Sequence, residues 1–466
     1  MRKTKLRMEP YSFFDHTGIS AHLERMARKG WMIDKIANYG WRYRPMEPKA
    51  VHFAVSYYPK ASEFDPEPSE DQKIFHDFCA HTGWKLACTS AQMQIFYNEE
   101  EDPVPIETDP VLELEAIHAS VKKGFLPIYF LLLAVCILQI FTFISSLRSD
   151  PAALLSSSAR IFSGFCFSLL AISFVVELVR YFVWHSKAKK AAEYGRFLKI
   201  PGTSGFQKTL FAIILTGIAC WAAGSLLWGN STQKWLGILT FIYVPVLFLI
   251  VNGVKEFLKR RKASRSVNFS LTMLASFLSA FVMLGLITFL ILCISSGTLF
   301  SGRDRETYEY NGRTWSIYQD ELPLVVEDLT DVDYREYIKE NISDESTFLL
   351  RQSIMAQYPR FDADNYDEIP RLSYTIVTVR AHVLYDMCKQ SLLRSWEQLY
   401  PDGERYYVPA DAAPWGADEA YRLYESLFGL QNDYLLCYDN LLVEISFNWE
   451  PSAEQMRVAG EKLLAG

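Results

Sequence analysis

Few side chains in this sequence have a type and spacing that would support chemistry. Glu177 and Arg180 form an ionisable pair inside an otherwise apolar stretch, one helical turn apart, so they can pair with each other. Charges within a membrane helix often mark a transport or relay path, and anchoring of the helix end is the structural alternative. Cys388 and Cys437 could form a disulfide or stay buried as thiols.

No catalytic motif accompanies these residues. The chain lacks a Gly-x-Ser-x-Gly elbow, a phosphate loop, a dinucleotide fingerprint and a His-Glu-x-x-His motif. His76, Cys79 and His81 resemble a metal site, but His81 leaves the helix face that the other two share, and no fourth ligand is near. We therefore expect no enzyme activity, no metal site and no cofactor.

The net charge of −7 over 466 residues is an average over three different pieces. Residues 1–123 carry a net charge of −3, residues 124–299 carry +12, and residues 300–466 carry −16. This distribution excludes a strongly basic nucleic-acid binder and a fully disordered chain. It predicts an acidic C-terminal domain, a basic middle block and no nucleic-acid partner.

The middle block contains five apolar stretches of about the 20 residues that a bilayer-spanning helix needs. They cover residues 125–147, 161–184, 209–229, 234–257 and 270–296. Helices of soluble proteins are rarely this long and this free of charge. The stretches predict a five-span membrane protein whose partner is the lipid bilayer.

The basic residues of the short loops predict the orientation of the spans. Loops after the second and fourth stretches hold twelve basic residues: Lys187, Lys189, Lys190, Arg196, Lys199, Lys208, Lys255, Lys259, Arg260, Arg261, Lys262 and Arg265. The other two loops hold Arg148, Arg160 and Lys234. The N-terminus is therefore expected in the cytoplasm. An odd number of spans then places the C-terminal domain outside the cell.

The first hundred residues contain an internal repeat. One amphipathic helix ends at Gly30-Trp31 and a second at Gly83-Trp84, 53 residues later, and an aromatic residue recurs twelve positions after each tryptophan. Glycine suits the left-handed position that closes a helix, and the tryptophan can then pack the helix end onto a sheet. The order strand, helix, strand, strand, helix, strand, strand predicts a ferredoxin-like α+β domain.

The Lys-Gly-Trp after the first helix, the aromatic strand and the second Gly-Trp resemble the domain-of-unknown-function 2812 family, DUF2812. That resemblance covers about the first hundred residues. It implies a bacterial protein in which this domain is joined to several membrane spans and an outer domain, and it carries no established activity or catalytic residues. Genes of the family often neighbour PadR-type transcriptional regulators, which implies a cytoplasmic regulatory protein as partner and a role in membrane signalling or stress response.

The remaining segments complete four predicted regions: a cytoplasmic domain at 1–98, an acidic stiff linker and juxtamembrane helix at 99–123, the membrane block at 124–299 and an outer domain at 300–466. The last region mixes strand and helix patterns. It includes a hairpin at Asn311-Gly312, helices at 381–399 and 417–428, a hairpin at Asp439-Asn440 and a last helix with a capping box at Ser452. A mixed α+β fold is expected there.

These features favour a signalling or regulatory protein that couples an outer domain to a cytoplasmic one. A transporter or channel component with Glu177 and Arg180 in the membrane path is the alternative. A scaffold that recruits partners is a third possibility. The sequence leaves the ligand and the oligomeric state open.

Overall fold

The computed structural model describes residues 4–9, 11–37, 40–200, 204–228, 231–295, 306–400 and 402–465. The chain divides into two compact units. One combines Met1–Ile137 with Cys166–Leu290, and the other combines Leu138–Phe165 with Ile291–Gly466. Each unit is therefore built from segments that are distant in sequence.

The first unit begins with an α+β domain made of two short antiparallel sheets. Its elements are β1 (Lys5–Arg7), α1 (His16–Arg28), β2 (Trp31–Ala37), β3 (Gly40–Pro45), β4 (His52–Tyr57), α2 (Glu70–His81), β5 (Lys85–Ser90) and β6 (Met93–Asn98). The strand orders are β1-β3-β2 and β4-β6-β5. Both halves are thus the same strand-helix-strand-strand unit with the same strand order, and the repeat expected from the sequence is present.

The two halves correspond in detail at the 53-residue spacing. Gly30 and Gly83 follow the two helices with φ angles of +79° and +86°, the left-handed conformation predicted for them. A β-bulge interrupts β2 between Ile33 and Lys35, and another interrupts β5 between Leu86 and Cys88. A bulge at the same repeat position bends each hairpin in the same way.

This topology differs from the predicted ferredoxin-like fold. A ferredoxin-like domain has one strand-helix-strand-strand-helix-strand sheet. Here the described strands form two three-stranded sheets, and three strands lie between the helices where the sequence pattern predicted two. The difference arises because residues 31–45 form two paired strands, β2 and β3.

The acidic segment 99–109 was expected to be a stiff spacer, but it lies against the N-terminal domain. The indole Nε1 of Trp84 donates to the carbonyl oxygen of Val104 at 2.7 Å, and Ser56 Oγ donates to Glu107 Oε1 at 2.7 Å. Ile106 packs against the buried cluster of Cys79, Trp84 and Phe96. The segment therefore belongs to the domain.

Long helices cover the five apolar stretches. After α3 (Pro110–Ser120) and a π-helical turn come α4 (Leu126–Ser149), α5 (Pro151–Ser156), α6 (Ser158–Glu193), α7 (Ser204–Trp228), α8 (Ser231–Arg260) and α9 (Arg265–Ser295). Among the described residues, three segments are long and apolar enough to cross a membrane: Pro110–Ser149, Ser158–Glu193 and Arg265–Leu290. Lys208–Gly224 is a shorter apolar helix. These three segments are compatible with a membrane protein, and the number of five spans stays a prediction.

The second unit is built around a seven-stranded antiparallel sheet with the order β12-β13-β14-β15-β11-β10-β9. A hairpin, β7 (Thr307–Tyr310) and β8 (Arg313–Ser316), precedes it. The remaining elements are β9 (Tyr337–Ser346), β10 (Leu350–Pro359), β11 (Leu372–Val379), α10 (Tyr385–Leu399), β12 (Arg405–Ala410), β13 (Glu419–Glu425), β14 (Gly429–Cys437), β15 (Leu441–Phe447) and α11 (Ala453–Ala465).

The two faces of this sheet are covered differently. One face carries Tyr374, Val443 and Ile445, which pack with Ala459 and Leu463 of α11. Part of the other face packs against α10 and α5; its cluster contains Ala152, Leu155, Val377, Cys388, Leu392, Leu435, Cys437 and Leu442. The loop helix α5 is therefore part of the core of this unit.

Most local predictions for this region are confirmed. Asn311 and Gly312 have φ angles of +50° and +69°, as a type I′ turn requires. Ser452 and Gln455 exchange backbone and side-chain hydrogen bonds as a capping box before α11.

The predicted helix at 417–428 is wrong, because residues 419–425 form strand β13. A bulge between Arg422 and Tyr424 shifts the register of this strand. The buried residues Ala420 and Leu423 consequently lie three positions apart, a spacing that imitates a helix.

Candidate functional site at the contact between the N-terminal domain and the apolar helices

The segment before α1 carries a hydroxyl that binds the charged pair of α6. Ser12 Oγ donates to Glu177 Oε2 at 2.6 Å, and Arg180 Nη1 donates to Glu177 Oε1 at 2.7 Å. Arg180 Nη1 also lies 3.3 Å from Ser12 Oγ. Glu177 is 2% exposed. The predicted pairing of Glu177 with Arg180 is therefore present, and Ser12 joins both residues to the N-terminal domain.

This Ser12–Glu177–Arg180 network connects the N-terminal domain to α6 through hydrogen bonds and an ion pair. A buried carboxylate is stable when charge and hydrogen bonds compensate its lost hydration, and removal of one partner typically costs about 3–5 kcal/mol. The guanidinium of Arg180 also lies 6.0 Å from the centroid of the Phe14 ring. A single position of the Arg180 guanidinium group therefore lets it pair with Glu177 and lie beside the Phe14 ring.

An aromatic cluster surrounds Phe14 beside this network. The ring centroid of Phe14 lies 5.7 Å from that of Phe125, 5.2 Å from that of Tyr181 and 5.8 Å from that of Trp184. Phe14 and Tyr181 are fully buried. Such ring pairs add to the free energy gained from burial. The core of the N-terminal domain thus continues into α6 and the start of α4.

A second contact connects the loop between β4 and α2 to α8 and α9. Lys255 Nζ lies 2.9 Å from Glu63 Oε2, and Asn268 Nδ2 donates to the carbonyl oxygen of Phe64 at 3.1 Å. The rings of Phe64 and Phe269 meet edge to face at 5.3 Å. Further ion pairs join Asp65 to Arg265 and Glu67 to Lys262.

Sequence reasoning did not predict this second contact, although a signal for it exists. Residues 63–67 contain three carboxylates, and residues 255–265 contain six basic side chains. Two short segments of opposite charge, one in a loop and one spanning the end of α8 and the start of α9, are candidates for pairing. The pairing joins residues about 190 positions apart, so no local pattern reveals it.

A third contact lies at the start of α1, beside a cavity of about 590 Å³. His16 Nε2 lies 3.4 Å from Glu113 Oε1, and the backbone N–H of Ile200 donates to Thr17 Oγ1 at 3.3 Å. Burial lowers the pKa of His16 to about 4, so its imidazole is neutral at pH 7. Glu24, Glu107, Trp84 and Phe197 also line the cavity.

The Gly-Trp motifs lie inside the domain rather than at this contact. Gly83 lets Trp84 turn back over Cys79, and Trp84 is buried with Phe96 of β6. Trp31 is half-buried against the larger core. The motifs therefore close the two helices and pack their ends onto the sheets.

The candidate cysteines and His76 likewise have packing or hydrogen-bond partners within their own domains. Cys388 and Cys437 are free thiols, so no disulfide joins them. Both lie in the cluster under α10, and burial raises the pKa of each thiol to about 11. His76 lies 3.0 Å from Gln94 Oε1. No group of three or more metal-binding side chains occurs within the part of the chain that the structure describes.

Comparisons with known proteins bear on the N-terminal part of this site. Searches of the curated proteins and of the solved structures give no match. The model of the family described as protein of unknown function (DUF2812) matches residues 16–128, from the start of α1 into α4. The resemblance carried by the Gly-Trp motifs is therefore confirmed, and the chain contains a DUF2812 domain at residues 16–128.

Proposed function

We propose that this protein is a regulatory membrane protein that transmits a signal from an outer C-terminal domain to a cytoplasmic DUF2812 domain. In this proposal the chain spans the membrane five times, with the N-terminus in the cytoplasm. A cytoplasmic regulatory protein is the proposed receiver. The carrying observation is that the N-terminal domain is fastened to α6 by the buried Ser12–Glu177–Arg180 network.

Contacts within each unit support the proposed sidedness. The N-terminal domain contacts residues of the two basic loops, including Ile200, Lys255 and Arg265. In the other unit, Thr347 Oγ1 donates to the carbonyl oxygen of Leu155, and Ser391 Oγ donates to that of Ser149. The loop poor in basic residues thus packs with the C-terminal domain, as the positive-inside rule predicts for loops on opposite sides.

The first test measures this sidedness in intact cells. Val383 is 87% exposed in the C-terminal domain, and Glu101 is exposed in the N-terminal domain. A membrane-impermeant maleimide should label Val383→Cys in intact cells and Glu101→Cys after permeabilisation. Labelling of both variants, or of neither, in intact cells would contradict the proposed topology.

The second test addresses signalling through the network. Glu177→Gln removes the charge that Ser12 and Arg180 share. Glu193→Gln is its matched control, because Glu193 lies exposed on the same helix. The transcript profile of Glu177→Gln cells should resemble that of cells whose protein lacks residues 306–466, and Glu193→Gln cells should resemble wild type. Unchanged profiles in both the deletion and Glu177→Gln cells would overturn the proposal.

The same variants discriminate against a transport role. A transporter with Glu177 and Arg180 in its path should lose solute flux or current in the Glu177→Ala, Arg180→Ala double variant. The hydrogen bond from Ser12 supports anchoring of the domain instead. Flux that persists in the double variant while the transcript profile changes would favour the regulatory function.

A further inference from the structure

One half of a sheet face in the C-terminal domain is polar and lies outside the cover of α10 and α5. Strand pairing places Ser373 opposite Ser446, and Thr375 opposite Glu444. Asp433 of β14 also lies opposite Ser446. Farther along the same face, Val377 and its neighbours are apolar and are packed under α10 and α5. The change from apolar to polar residues therefore follows the edge of the covering helices.

Two adjoining cavities form a groove over this polar half. The first, of about 400 Å³, has Glu444 and Asp433 in its lining, with Trp396 of α10 and Tyr407 of β12. The second, of about 440 Å³, is lined by Tyr358, Phe361, Tyr366, Arg371 and Asn448. Ser373 and Ser446 line both cavities. Each has the size of a small-molecule site.

The carboxylates of the groove are only partly compensated by the residues around them. Asp433 accepts a hydrogen bond from Ser446 and feels the positive charge of Arg405, and both lower its pKa, but the ion pair of Arg405 is made with Glu425. Glu444 Oε1 accepts a hydrogen bond from Tyr407 Oη at 3.3 Å. Burial raises the pKa of Glu444 to about 7, and it also raises the pKa of Asp433. These are half-buried acceptors whose hydrogen-bonding capacity a ligand could use.

The aromatic walls and the arginines narrow the class of ligand. Arg405 lies 5.5 Å from the ring of Trp396, and Arg371 lies 5.0 Å from the ring of Tyr366. Each guanidinium group is ion-paired, Arg405 with Glu425 and Arg371 with Asp367, and each occupies a ring face that an organic cation would otherwise use. The two carboxylates disfavour an anion in the first cavity. A neutral ligand with many hydroxyl groups satisfies both constraints.

We propose that this groove binds a neutral oligosaccharide. Vicinal hydroxyl groups of a sugar would donate to Glu444 and Asp433 and bind the hydroxyls of the serines. The C–H faces of its rings would pack on Trp396 in one cavity and on Phe361 or Tyr366 in the other. This inference deepens the proposed function. It rests on that function because the C-terminal domain would meet extracellular glycans only if it lies outside the cell.

The test uses the full chain in lipid nanodiscs with cellotetraose, chitotetraose and maltotetraose as probes. Calorimetric titration should show that at least one probe binds with a Kd on the order of 10 μM to 10 mM. Glu444→Gln and Trp396→Ala should weaken that binding about tenfold or more. Trp396→Phe should retain most of it. Glu397→Gln, on the exposed side of α10, is the control and should bind like wild type.

Three results would overturn the proposal: no binding of any probe, binding that the groove variants leave unchanged, or preferential binding of tetramethylammonium or spermidine. Thermal unfolding of each variant separates loss of binding from loss of fold. The assay also separates this inference from the proposed function. Sugar binding with an unchanged transcript profile would support the groove and contradict signalling, and the converse result would do the opposite.

Discussion

The two copies of the repeat have the same backbone plan but different inner faces. The inner face of α1 is apolar, and the corresponding positions of α2, 53 residues later, are mainly polar: Ile19, Leu23 and Met26 in α1 correspond to Gln72, His76 and Cys79 in α2. The side chains of Gln72 and His76 both lie 3.0 Å from Gln94 Oε1. The inner face of α1 is therefore held by apolar packing, and that of α2 combines hydrogen bonds to Gln94 with the packing of Cys79.

The exposed faces of the two helices also differ: that of α1 carries small and charged side chains, and that of α2 carries apolar ones. Exposed positions of α1 carry Ala21 and Arg25, and the corresponding positions of α2 carry Ile74 and Phe78. Ile74 is 66% exposed and Phe78 is 59% exposed. The second copy therefore presents apolar surface where the first presents small and charged side chains.

The difference follows from what each copy contacts. The core of the first copy is continuous with Ile117, Leu178, Tyr181 and Trp184 of the apolar helices. The buried cluster beside α2 contains Cys79, Trp84 and Phe96. Duplication of one unit has thus produced an attachment copy, whose segment before α1 packs on the apolar helices, and a second copy whose loop also contacts α8 and α9 but whose helix α2 keeps an exposed apolar face. The comparison indicates that a fold can be kept while its contacts diverge.

The largest expected effect is on the attachment copy. Phe14→Ala removes a fully buried ring from contact with Phe125, Tyr181 and Trp184, so it should lower the free energy of unfolding by about 3–5 kcal/mol. Phe78→Ala makes the same chemical change on the exposed face of α2 and should alter it by about 0.5 kcal/mol or less. Denaturant unfolding of the full chain in nanodiscs measures both. Equal effects would contradict the asymmetry of the two copies.

A second effect appears on acidification. The pKa values of His16 and His22 are lowered by burial to about 4, below the ordinary value near 6.5, so the unfolded state binds more protons than the folded state between these pH values. The histidine contribution to stability is therefore fully present above about pH 6.5 and is lost as the pH falls toward 4. Glu113 beside His16 partly opposes this loss, because burial raises its pKa to about 7 and its protonation favours the folded state. The lowered pKa of His16 alone reduces the free energy of unfolding by about 3 kcal/mol at pH 4 or below.

Hydrogen exchange at a series of pH values measures this effect in each helix. Amides of α1 should lose protection between pH 6.5 and pH 4 before those of α2. In His16→Asn the dependence should be weaker, and His81→Asn, at an exposed position of α2, is the control. Loss of protection in both helices at the same pH would contradict a separate acid sensitivity of the first copy.

Local signals made part of the fold predictable. The left-handed glycines after α1 and α2, the Asn311-Gly312 turn and the Ser452 capping box depend on residues within a few positions of one another. The apolar helices were likewise evident from composition. By contrast, the bulge in β13 disguised a strand as a helix, because one extra residue changes the spacing of buried side chains.

The sites depended on information that no short pattern contains. Glu177 and Arg180 were identified as a pair because they lie one turn apart, but Ser12 lies 165 positions from Glu177. The polar groove requires the register that places Thr375 opposite Glu444. Such long-range pairings are fixed by tertiary packing, so a single sequence does not reveal them.

A third prediction compares the glycines of the two copies. A Cβ atom at position 30 would lie 3.1 Å from the backbone oxygen of Met46, and one at position 83 would lie 2.9 Å from the side-chain Nδ2 of Asn98. A side chain can move more easily than a backbone. Gly30→Ala should therefore destabilise more than Gly83→Ala, with both near 1–2 kcal/mol because of their positive φ angles. Thermal unfolding of both variants tests the order, and a larger loss for Gly83→Ala would reverse it.

The smallest expected effect concerns the charged contact made by the loop that precedes α2. Lys255 is largely buried and Glu63 is about half exposed, so their ion pair should contribute up to about 1 kcal/mol, screened by salt. Glu63→Gln should lower stability slightly at low ionic strength and less at 0.5 M salt. The exposed pair of Glu70 with Lys73 provides the control, and Glu70→Gln should leave stability unchanged. A double-mutant cycle of Glu63→Gln with Lys255→Met measures the coupling directly. Zero coupling at low salt would mean that the contacts of this loop with α9, including those of Phe64 and Asn268, hold it without help from the Lys255 pair. That result would sharpen the contrast with the buried charge network of the first copy.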